Sequence, residues 1–377
     1  MRRVLLLILL LLPGCASLVR LPAPPAEVVP SLPVTGIPNG RFWPDGDVGA
    51  MQAEARLAAS RRGPGREGHF LALSGGGDNG AFGAGLMQGW TERGDRPEFD
   101  VVTGISAGAL IAPFAFLGPA YDARLREVFT EQRPTDLIAF RRLPIAILFG
   151  EALADTSPLY KLIARQADEE MLAAIAREYR RGRLLLIGTT NLDLQRPVVW
   201  NIGAIADSGH PLALALFRRI LLASASIPGA FPPVMIPVEW DGRGWQEMHV
   251  DGGAATQVFL YPPDFDGRSD RPRTVHVVRN GRLEVEADST RLGIFSIARR
   301  SAATLLHFAG LGDINRIALL AHRDGLAFRL ARIDPSFQHP RPEAFDTEYM
   351  RALFEHGRHQ GLRGDAWISR PGRPAQP

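Results

Sequence analysis

A serine lies at the centre of a glycine-flanked pentapeptide, Gly-Ile-Ser-Ala-Gly, at residues 104–108. The short apolar run before it predicts a strand, and the alanine-rich run after it, residues 107–117, predicts a helix. Gly104 and Gly108 permit a sharp strand-to-helix turn that exposes the Ser106 hydroxyl at a helix N-terminus, where backbone N–H groups favour developing negative charge. The spacing therefore indicates a nucleophile elbow with Ser106 as the attacking group.

A glycine cluster, Ser-Gly-Gly-Gly-Asp-Asn-Gly at residues 74–80, precedes this elbow and lies between a predicted strand and a predicted helix. Glycines admit positive φ and a close approach of the backbone, so consecutive N–H groups can converge on an anion. The same spacing satisfies the dinucleotide motif G-x-G-x-x-G. A serine elbow in the next β–α unit favours an oxyanion hole for acyl transfer instead. The residues of this predicted oxyanion hole are Gly75, Gly76, Gly77 and Gly80.

An acidic residue, Asp251, follows a predicted strand and precedes Gly252 and Gly253. Proteins of the α/β class place their active sites at the carboxyl ends of strands, so this carboxylate is a candidate proton acceptor for the serine. An ordinary Asp-Gly turn is the alternative interpretation. A Ser-Asp-His triad also stays open, because His249 shares a strand face with Asp251 and further histidines follow the acid in the chain. The later histidines are His276, His307 and His322.

Strand-like and helix-like patterns alternate along the rest of the chain. Strands are predicted at residues 70–73, 101–103, 184–190, 198–200, 248–250 and 275–278, and helices at 81–93, 107–117, 211–225 and 347–361. This alternation indicates α/β layers around a mainly parallel sheet. The apolar segment at residues 140–153 is interpreted either as a lid or acyl-chain wall, or as a buried helix. Ser224 and Ser226 lack a glycine elbow and are predicted to lie at the end of a helix broken by Pro228.

Taken together, these motifs resemble those of bacterial patatin-like phospholipases. The family's glycine-rich loop corresponds to residues 75–80, its elbow to 104–108, its proline-bearing segment to 224–233 and its D-G-G motif to 251–253. The resemblance spans roughly residues 69 to 280. It implies a three-layer α/β/α fold with a mainly parallel central sheet. It also implies a Ser106–Asp251 dyad that hydrolyses lipid acyl esters without a histidine.

One position departs from the family's pattern. Asn79 stands where members commonly have arginine or lysine. A cation there could bind a phosphate or an oxyanion, so its loss weakens the expected preference for phospholipids more than the expected esterase activity. The expected protein is a serine lipase or phospholipase A acting on membrane lipids. A catalytically silent, lipid-anchored binding protein with the same fold is the alternative from another class.

The N-terminus has the pattern of a lipoprotein leader. Arg2 and Arg3 precede an apolar run at residues 4–12, which is too short to span a bilayer. The following Leu-Pro-Gly-Cys resembles a bacterial lipobox, so we expect Cys15 to carry acyl chains such as palmitate. Because Ala16 and not aspartate follows it, the resemblance implies export and anchoring at the periplasmic face of the outer membrane.

The predicted organisation has four parts. They are a leader at residues 1–14, a proline-rich tether at 15–50, a hydrolase domain at 51–370 and a tail at 371–377.

Composition excludes several other classes of protein. With 46% hydrophobic and 22% charged residues, the chain is globular and not disordered. Lysine and arginine total 43 against 40 acidic residues, without a basic run, so nucleic-acid binding has little support. A single cysteine excludes an intramolecular disulfide. Because no cluster has metal-ligand spacing, neither a metal nor another cofactor is expected.

Overall fold

The fold is given by a computed structural model, which describes residues 20–46, 48–63, 67–137, 139–140, 154–287 and 289–371. The strands are β1 (Arg41–Phe42), β2 (Gly68–Leu73), β3 (Val101–Ile105), β4 (Ala139–Phe140), β5 (Ala154–Asp155), β6 (Leu184–Asn191), β7 (Arg196–Asn201), β8 (Val234–Trp240), β9 (Arg243–Asp251), β10 (Arg273–Arg279) and β11 (Ala327–Arg332). The helices are α1 (Gly49–Arg62), α2 (Gly80–Arg93), α3 (Ala107–Leu117), α4 (Asp122–Thr130), α5 (Pro134–Leu137), α6 (Ser157–Gln166), α7 (Glu169–Arg180), α8 (Ile202–Asp207), α9 (Ala213–Ser224), α10 (Ile294–Arg323) and α11 (Thr347–Arg363).

Within these ranges a nine-stranded sheet forms the centre of the fold. Its order is β1-β7-β6-β3-β2-β10-β11, with β9 paired to β6 and β8 paired to β9. The strands β6, β3, β2, β10 and β11 are parallel, so their carboxyl ends meet at one edge, the catalytic edge. β9 runs antiparallel to β6 and brings Asp251 opposite Thr189. The predicted mainly parallel sheet is confirmed.

Both faces of the sheet are covered. Because successive side chains of a strand point to opposite faces, one strand can contribute to two cores. Leu71 and Leu73 belong to a core shared with α2, α3, α9 and α11. Ala72, between them, belongs to a second core with α10. Leu184 and Leu186 pack in a third cluster with α1. The result is the α/β/α layering that the resemblance implied.

The elements expected around the motifs are present, whereas several elements elsewhere were not predicted, among them the helices α1, α6, α7 and α10 and the strands β8 and β11. The helix predicted at residues 107–117 is α3 with the same bounds, and the strands predicted at 70–73 and 101–103 are β2 and β3. The strand β8 was not predicted because Pro237 interrupts its pattern. It tolerates this proline because it is an edge strand, paired only to β9. The 30-residue helix α10 was also missed.

The N-terminal segment corrects the predicted tether. In residues 20–46, Val29, Val34 and Ile37 are buried in the main core, and β1 pairs with β7. Arg41 forms a buried ion pair with Glu247, with 2.7 Å between its Nη1 and the Glu247 Oε2. The prolines of this segment therefore separate short apolar pieces that pack on the domain, and do not keep the chain extended.

Several predicted features fall outside the described residues. The leader and Cys15 do so, and so does the predicted lid at residues 140–153 apart from Phe140 in β4. The predicted tail is described only at residue 371. Of the helices in the described ranges, none is long and apolar enough to cross a membrane.

Candidate active site

Ser106 lies at the turn between β3 and α3. Its backbone has φ 55° and ψ −124°, a strained combination for a residue with a side chain. A Cβ on Gly104 would lie 2.5 Å from the Gly108 carbonyl oxygen, and one on Gly108 would lie 2.3 Å from that of Leu73. Neither position therefore accepts a larger residue. The serine itself is only 6% exposed.

The backbone of Ser106 is held by another serine. The Ser106 N–H donates a hydrogen bond of 3.0 Å to the Ser224 hydroxyl, which donates one of 2.7 Å to the Gly188 carbonyl. Ser224 ends α9, as the sequence predicted, and it is fully buried. Its support of the elbow was missed. The sequence signal for it was only its place in the proline-bearing segment of the resemblance.

Asp251 ends β9 and is 4% exposed. Its Oδ1 accepts a hydrogen bond of 2.7 Å from the Gly253 N–H. Burial raises the pKa of the Asp251 carboxyl to about 7, although the Ser106 hydroxyl and the Gly253 N–H act to lower it. No well-formed hydrogen bond reaches Oδ2 from any described residue. Because the Ser106 hydroxyl lowers the pKa of this carboxyl, it lies close to it. Oδ2 keeps its capacity to accept a proton.

The glycine-rich loop passes over Ser106. A Cβ on Gly75 would lie 3.2 Å from the Ser106 Cβ and 3.8 Å from its Oγ. Gly77 has φ 59°, a left-handed conformation that favours glycine. In the described part of the chain, the N–H groups of Gly76 and Gly77 have no hydrogen-bond partner. These two groups are the available donors for an oxyanion beside the serine.

Gly75 and Gly80 differ from the prediction, because their N–H groups are used within the protein. The Gly75 N–H donates to the Gln257 carbonyl at 3.0 Å, and the Gly80 N–H donates to the carbonyls of Gly77 and Asp78. A Cβ on Gly80 would lie 2.8 Å from that of Ala107. Both glycines therefore shape the loop and do not supply donors to a substrate.

Asn280 fixes the start of this loop and was missed by the sequence analysis. Its N–H donates to the Ser74 Oγ at 2.9 Å, and its Nδ2 donates to the Ser74 carbonyl at 2.8 Å. Its Oδ1 accepts from the Gly83 N–H at 3.1 Å. A Cβ on Gly76 would lie 2.3 Å from the Asn280 carbonyl oxygen. The only sequence signal was a polar residue just after a predicted strand.

Gln257 connects the D-G-G turn to the glycine-rich loop. Its Nε2 donates to the Gly253 carbonyl at 2.9 Å, while its own carbonyl accepts from Gly75. The Gln257 N–H in turn donates to the Asp313 Oδ2 on α10 at 2.6 Å. The D-G-G turn, the glycine-rich loop and α10 therefore form one hydrogen-bonded unit.

The far end of the loop is held by the C-terminal segment. Asp78 makes two hydrogen bonds of 2.8 Å with the Arg341 guanidinium and accepts a third from the Phe345 N–H at 3.0 Å. Asn79, the departure from the family's pattern, accepts a hydrogen bond of 2.7 Å from the Tyr349 hydroxyl. The charge of Arg341 is thus paired with Asp78, and the Asn79 amide oxygen is bound to α11.

The hydrogen bonds of the Asp251 carboxyl to described residues involve no histidine. His249 lies between Thr189, 3.0 Å from its Nδ1, and Glu247, 3.2 Å from its Nε2. Burial lowers the pKa of the His249 imidazole. His276 packs against Trp90, and burial lowers its pKa to about 3. His249 and His276 are therefore structural, and His307 and His322 lie on α10 without a hydrogen bond to Asp251 among the described residues.

A narrow apolar cavity of about 50 Å³ opens at Ser106. A second narrow apolar cavity lies beside it along α3 and α6, since four residues line both. Together they form the acyl groove, whose shared walls are Leu110, Val128, Leu159 and Leu162. Near the serine the groove is closed by Phe231 and, from the C-terminal segment, by Phe345 and Met350. Its walls suit a hydrocarbon chain.

A larger cavity, of about 540 Å³, lies under α1 at the opposite edge of the sheet, where β2, β3, β6 and β10 begin. Several of its arginines are paired with acids, among them Arg62 with Asp100 and Arg268 with Asp266. The larger cavity is therefore not the one that contains Ser106, since Ser106 lines the narrow apolar cavity instead.

Comparison with known proteins identifies the family of the chain. The patatin-like phospholipase family matches residues 71–262, just over half of the 377 residues. The chain belongs to the patatin-like phospholipase family. As a member it is a lipid acyl hydrolase. The matched region contains Ser106 and Asp251, whereas Asn280, Arg341 and Tyr349 lie beyond it.

Two similar solved structures are bacterial effectors of low sequence identity. VipD from Legionella pneumophila is 13% identical with a TM-score of 0.35, over 81% of this chain and 68% of that chain. The type III effector protein ExoU is 16% identical with a TM-score of 0.27, over 79% of this chain and 54% of that chain. No curated protein matches the chain.

Proposed function

We propose that this patatin-like phospholipase releases fatty acids from membrane lipids through a Ser106–Asp251 dyad. The observation that carries the proposal is the buried carboxyl of Asp251 beside the Ser106 hydroxyl, with a pKa raised to about 7. A general base is most effective when its pKa lies near the working pH. An ordinary aspartate, with a pKa near 3.9, would be a weak base for this step.

Acylation begins when Asp251 accepts the Ser106 hydroxyl proton as Oγ attacks the ester carbonyl carbon. The carbonyl electron pair moves to oxygen, and the N–H groups of Gly76 and Gly77 stabilise this oxyanion. The intermediate then collapses, the bond to the alcohol oxygen breaks, and that oxygen takes the proton from Asp251. The alcohol leaves, and the acyl group stays on Oγ.

Deacylation repeats these steps with water. Asp251 accepts a proton from water as the water oxygen attacks the acyl carbon, and the oxyanion again faces Gly76 and Gly77. Collapse breaks the bond to Ser106 Oγ, which regains a proton from Asp251, and the fatty acid is released. One carboxyl therefore serves both half-reactions, and no metal or other cofactor takes part.

The substrate is proposed to be recognised mainly through its acyl chain. The acyl groove offers an apolar path from Ser106, while Asn79 supplies no cation and Arg341 is paired with Asp78. A phosphate head group therefore gains little from these positions. We propose a lipase or phospholipase A activity with weak selectivity for the head group.

We also propose that the protein acts while anchored to the cell envelope. The basic start, the short apolar run and the Leu-Pro-Gly-Cys motif support export and lipidation of Cys15. Cleavage there would leave residues 15–377, with a domain that starts before residue 51, since residues 20–46 pack against it. The anchor would keep the enzyme at the periplasmic face of the outer membrane.

Labelling with a fluorophosphonate probe, read by intact mass and peptide mapping, tests the dyad. We expect a single adduct on Ser106 in the wild type, none in Ser106→Ala, and strongly slowed labelling in Asp251→Asn. Asp193→Asn, which removes a carboxylate paired with Arg20 outside the site, is the matched control and should label as the wild type does. A folded wild-type protein without an adduct would instead support the silent binding protein.

A further inference from the structure

The helix α10 is much longer than its place in the fold requires. It connects β10 to the parallel strand β11, so it must return from the catalytic edge to the opposite edge. The seven residues of β10 span roughly 23 Å, whereas the 30 residues of α10 span roughly 45 Å. About half of the helix is therefore not needed for the connection.

The surplus lies at the N-terminal end of α10. Among its described side chains, the first buried residue is Gly310, which packs so closely on Arg279, the last residue of β10, that an added Cβ would lie 2.7 Å from the Arg279 Nη1. Residues 294–309, which we name the overhang, are exposed or half-buried where described. They extend for roughly 24 Å beyond this contact.

The C-terminal end of the overhang lies beside the active site. Asp313, one turn after Gly310, accepts a hydrogen bond of 2.6 Å from the Gln257 N–H. The Gln257 carbonyl binds the Gly75 N–H of the oxyanion loop at 3.0 Å. Two hydrogen bonds thus join α10 to the loop over Ser106, so the overhang projects from the catalytic edge.

One face of the overhang is apolar and open to solvent. Ile294 is 81% exposed, Ile297 48%, Leu305 72% and Phe308 55%. Their spacing of i, i+3, i+11 and i+14 places all four on one stripe of a helix. Leu292, just before the helix, is 99% exposed. Ala298 and Ser301, both exposed, lie between the two pairs on this stripe. An exposed and mainly apolar face of this kind marks an interaction surface.

The charged residues of the overhang itself have one sign, and the acids near it, Glu284 and Glu286, are paired with Arg332 and Arg282. The overhang carries Arg299 and Arg300 and no acidic residue. The acidic residue of α10 is Asp313, which is 3% exposed and bound to Gln257. A helix with leucine, isoleucine and phenylalanine on one face and arginine outside it is suited to the interface of an anionic bilayer.

We propose that the overhang of α10 docks on the surface of an anionic lipid bilayer, with Ile294, Ile297, Leu305 and Phe308 inserted among the acyl chains. We name a bilayer and not a second copy of the chain because the overhang is basic and projects from the edge of the sheet that carries Ser106. Docking here brings the catalytic edge, from which the overhang projects, close to the membrane. The inference rests on the proposed function, since the bilayer is where the proposed substrate lies.

Spin labelling of the full chain tests the docking without any need for turnover. In a Cys15→Ser, Ser106→Ala background, a nitroxide is attached at Phe308→Cys or, as the matched control, at Leu57→Cys, an exposed leucine on α1. Vesicles of phosphatidylethanolamine and phosphatidylglycerol are then added. We expect the label at 308 to become accessible to oxygen and shielded from an aqueous nickel complex, while the label at 57 stays aqueous.

Kinetics supply the second measurement. The triple variant Ile297→Ser, Leu305→Ser, Phe308→Ser should lose at least about tenfold in hydrolysis of these vesicles, because each removed side chain contributes to insertion. Its hydrolysis of a soluble short-chain ester should equal that of the wild type. The control triple Leu57→Ser, Leu212→Ser, Leu362→Ser, which changes exposed leucines outside α10, should keep both activities.

Three results would overturn the docking proposal. One is a label at 308 that stays aqueous on vesicles, and another is unchanged vesicle hydrolysis in the α10 triple variant. The third is shielding of the label before vesicles are added, together with a doubled mass, which would assign the stripe to a second copy. Failure of the proposed function has a different signature, because the wild type would then lack ester hydrolysis or Ser106→Ala would retain it, whatever the label reports.

Discussion

The Ser224 hydroxyl accepts a hydrogen bond from the backbone N–H of Ser106 at 3.0 Å, although the two serines are 118 residues apart in the chain. The same hydroxyl donates a hydrogen bond to the Gly188 carbonyl of β6. The strained φ and ψ of Ser106 are therefore held from three sides, by β3, by α3 and by the end of α9. Preorganisation of this kind fixes Oγ before a substrate arrives.

Removal of the Ser224 hydroxyl should weaken both activity and stability. Ser224→Ala leaves the buried Ser106 N–H without a partner, which costs about 1–3 kcal/mol of unfolding free energy, and we expect kcat to fall about 10- to 100-fold. Thermal melts and ester kinetics measure both effects. Ser226→Ala is the control, because the equally buried Ser226 hydroxyl binds only the Leu222 carbonyl. Equal effects of the two changes would refute a special role for Ser224.

Asn280 should act through the oxyanion loop. In Asn280→Asp an oxygen replaces Nδ2 opposite the Ser74 carbonyl, so a hydrogen bond of 2.8 Å becomes a repulsion. We expect kcat to fall about 10- to 100-fold with KM nearly unchanged, as for the loss of a contact made in the transition state. Asn315→Asp, at an exposed position of α10, is the control. An increase confined to KM would contradict this positioning role.

The pH profile should report Asp251. The carboxylate is the active form, and burial raises its pKa to about 7. The kcat/KM for a soluble ester should therefore rise with pH, be half-maximal at about pH 7 and level off about one pH unit higher. Stopped assays between acidic and mildly alkaline pH, with fluorescence to monitor folding, measure the midpoint. A profile already level below pH 5 would show that the base is not a buried carboxyl with a raised pKa.

The acyl groove should set the preference for chain length. Leu162, 4% exposed, lines both parts of the groove. Leu162→Phe should narrow it and lower kcat/KM for long-chain p-nitrophenyl esters about tenfold relative to butyrate. Leu216→Phe on α9, at 3% exposure and outside the groove, controls for overpacking. A loss that is the same for short and long chains would place the acyl chain elsewhere.

The features that sequence predicted well are those governed by local patterns. The strand, glycine and serine order around Ser106 specifies a turn that few other residue types allow, so β3, α3 and the elbow were placed closely. Asp251 was placed for a similar reason, since an aspartate before two glycines ends a strand. The mainly parallel sheet followed from the alternation of elements.

The features that were missed depend on contacts between distant segments. Asn280, Gln257 and Ser224 are ordinary polar residues in the sequence and gain their roles only when β10, the D-G-G turn and α9 meet at the catalytic edge. Gly75 and Gly80 are glycines, as an oxyanion hole requires, but their N–H groups donate to carbonyls of the protein. Residues 20–46 show many prolines, whereas the apolar residues between the prolines determine where that segment packs.

The most direct test of the dyad is fatty acid release from short-chain p-nitrophenyl esters and from phospholipid vesicles by the wild type, Ser106→Ala and Asp251→Asn. We expect the wild type to hydrolyse both substrates. Each variant should lose at least about 10³-fold on both while it keeps the wild-type fold. Substantial hydrolysis by a folded Asp251→Asn variant would contradict the Ser106–Asp251 dyad, because the proton of Ser106 would then have another acceptor.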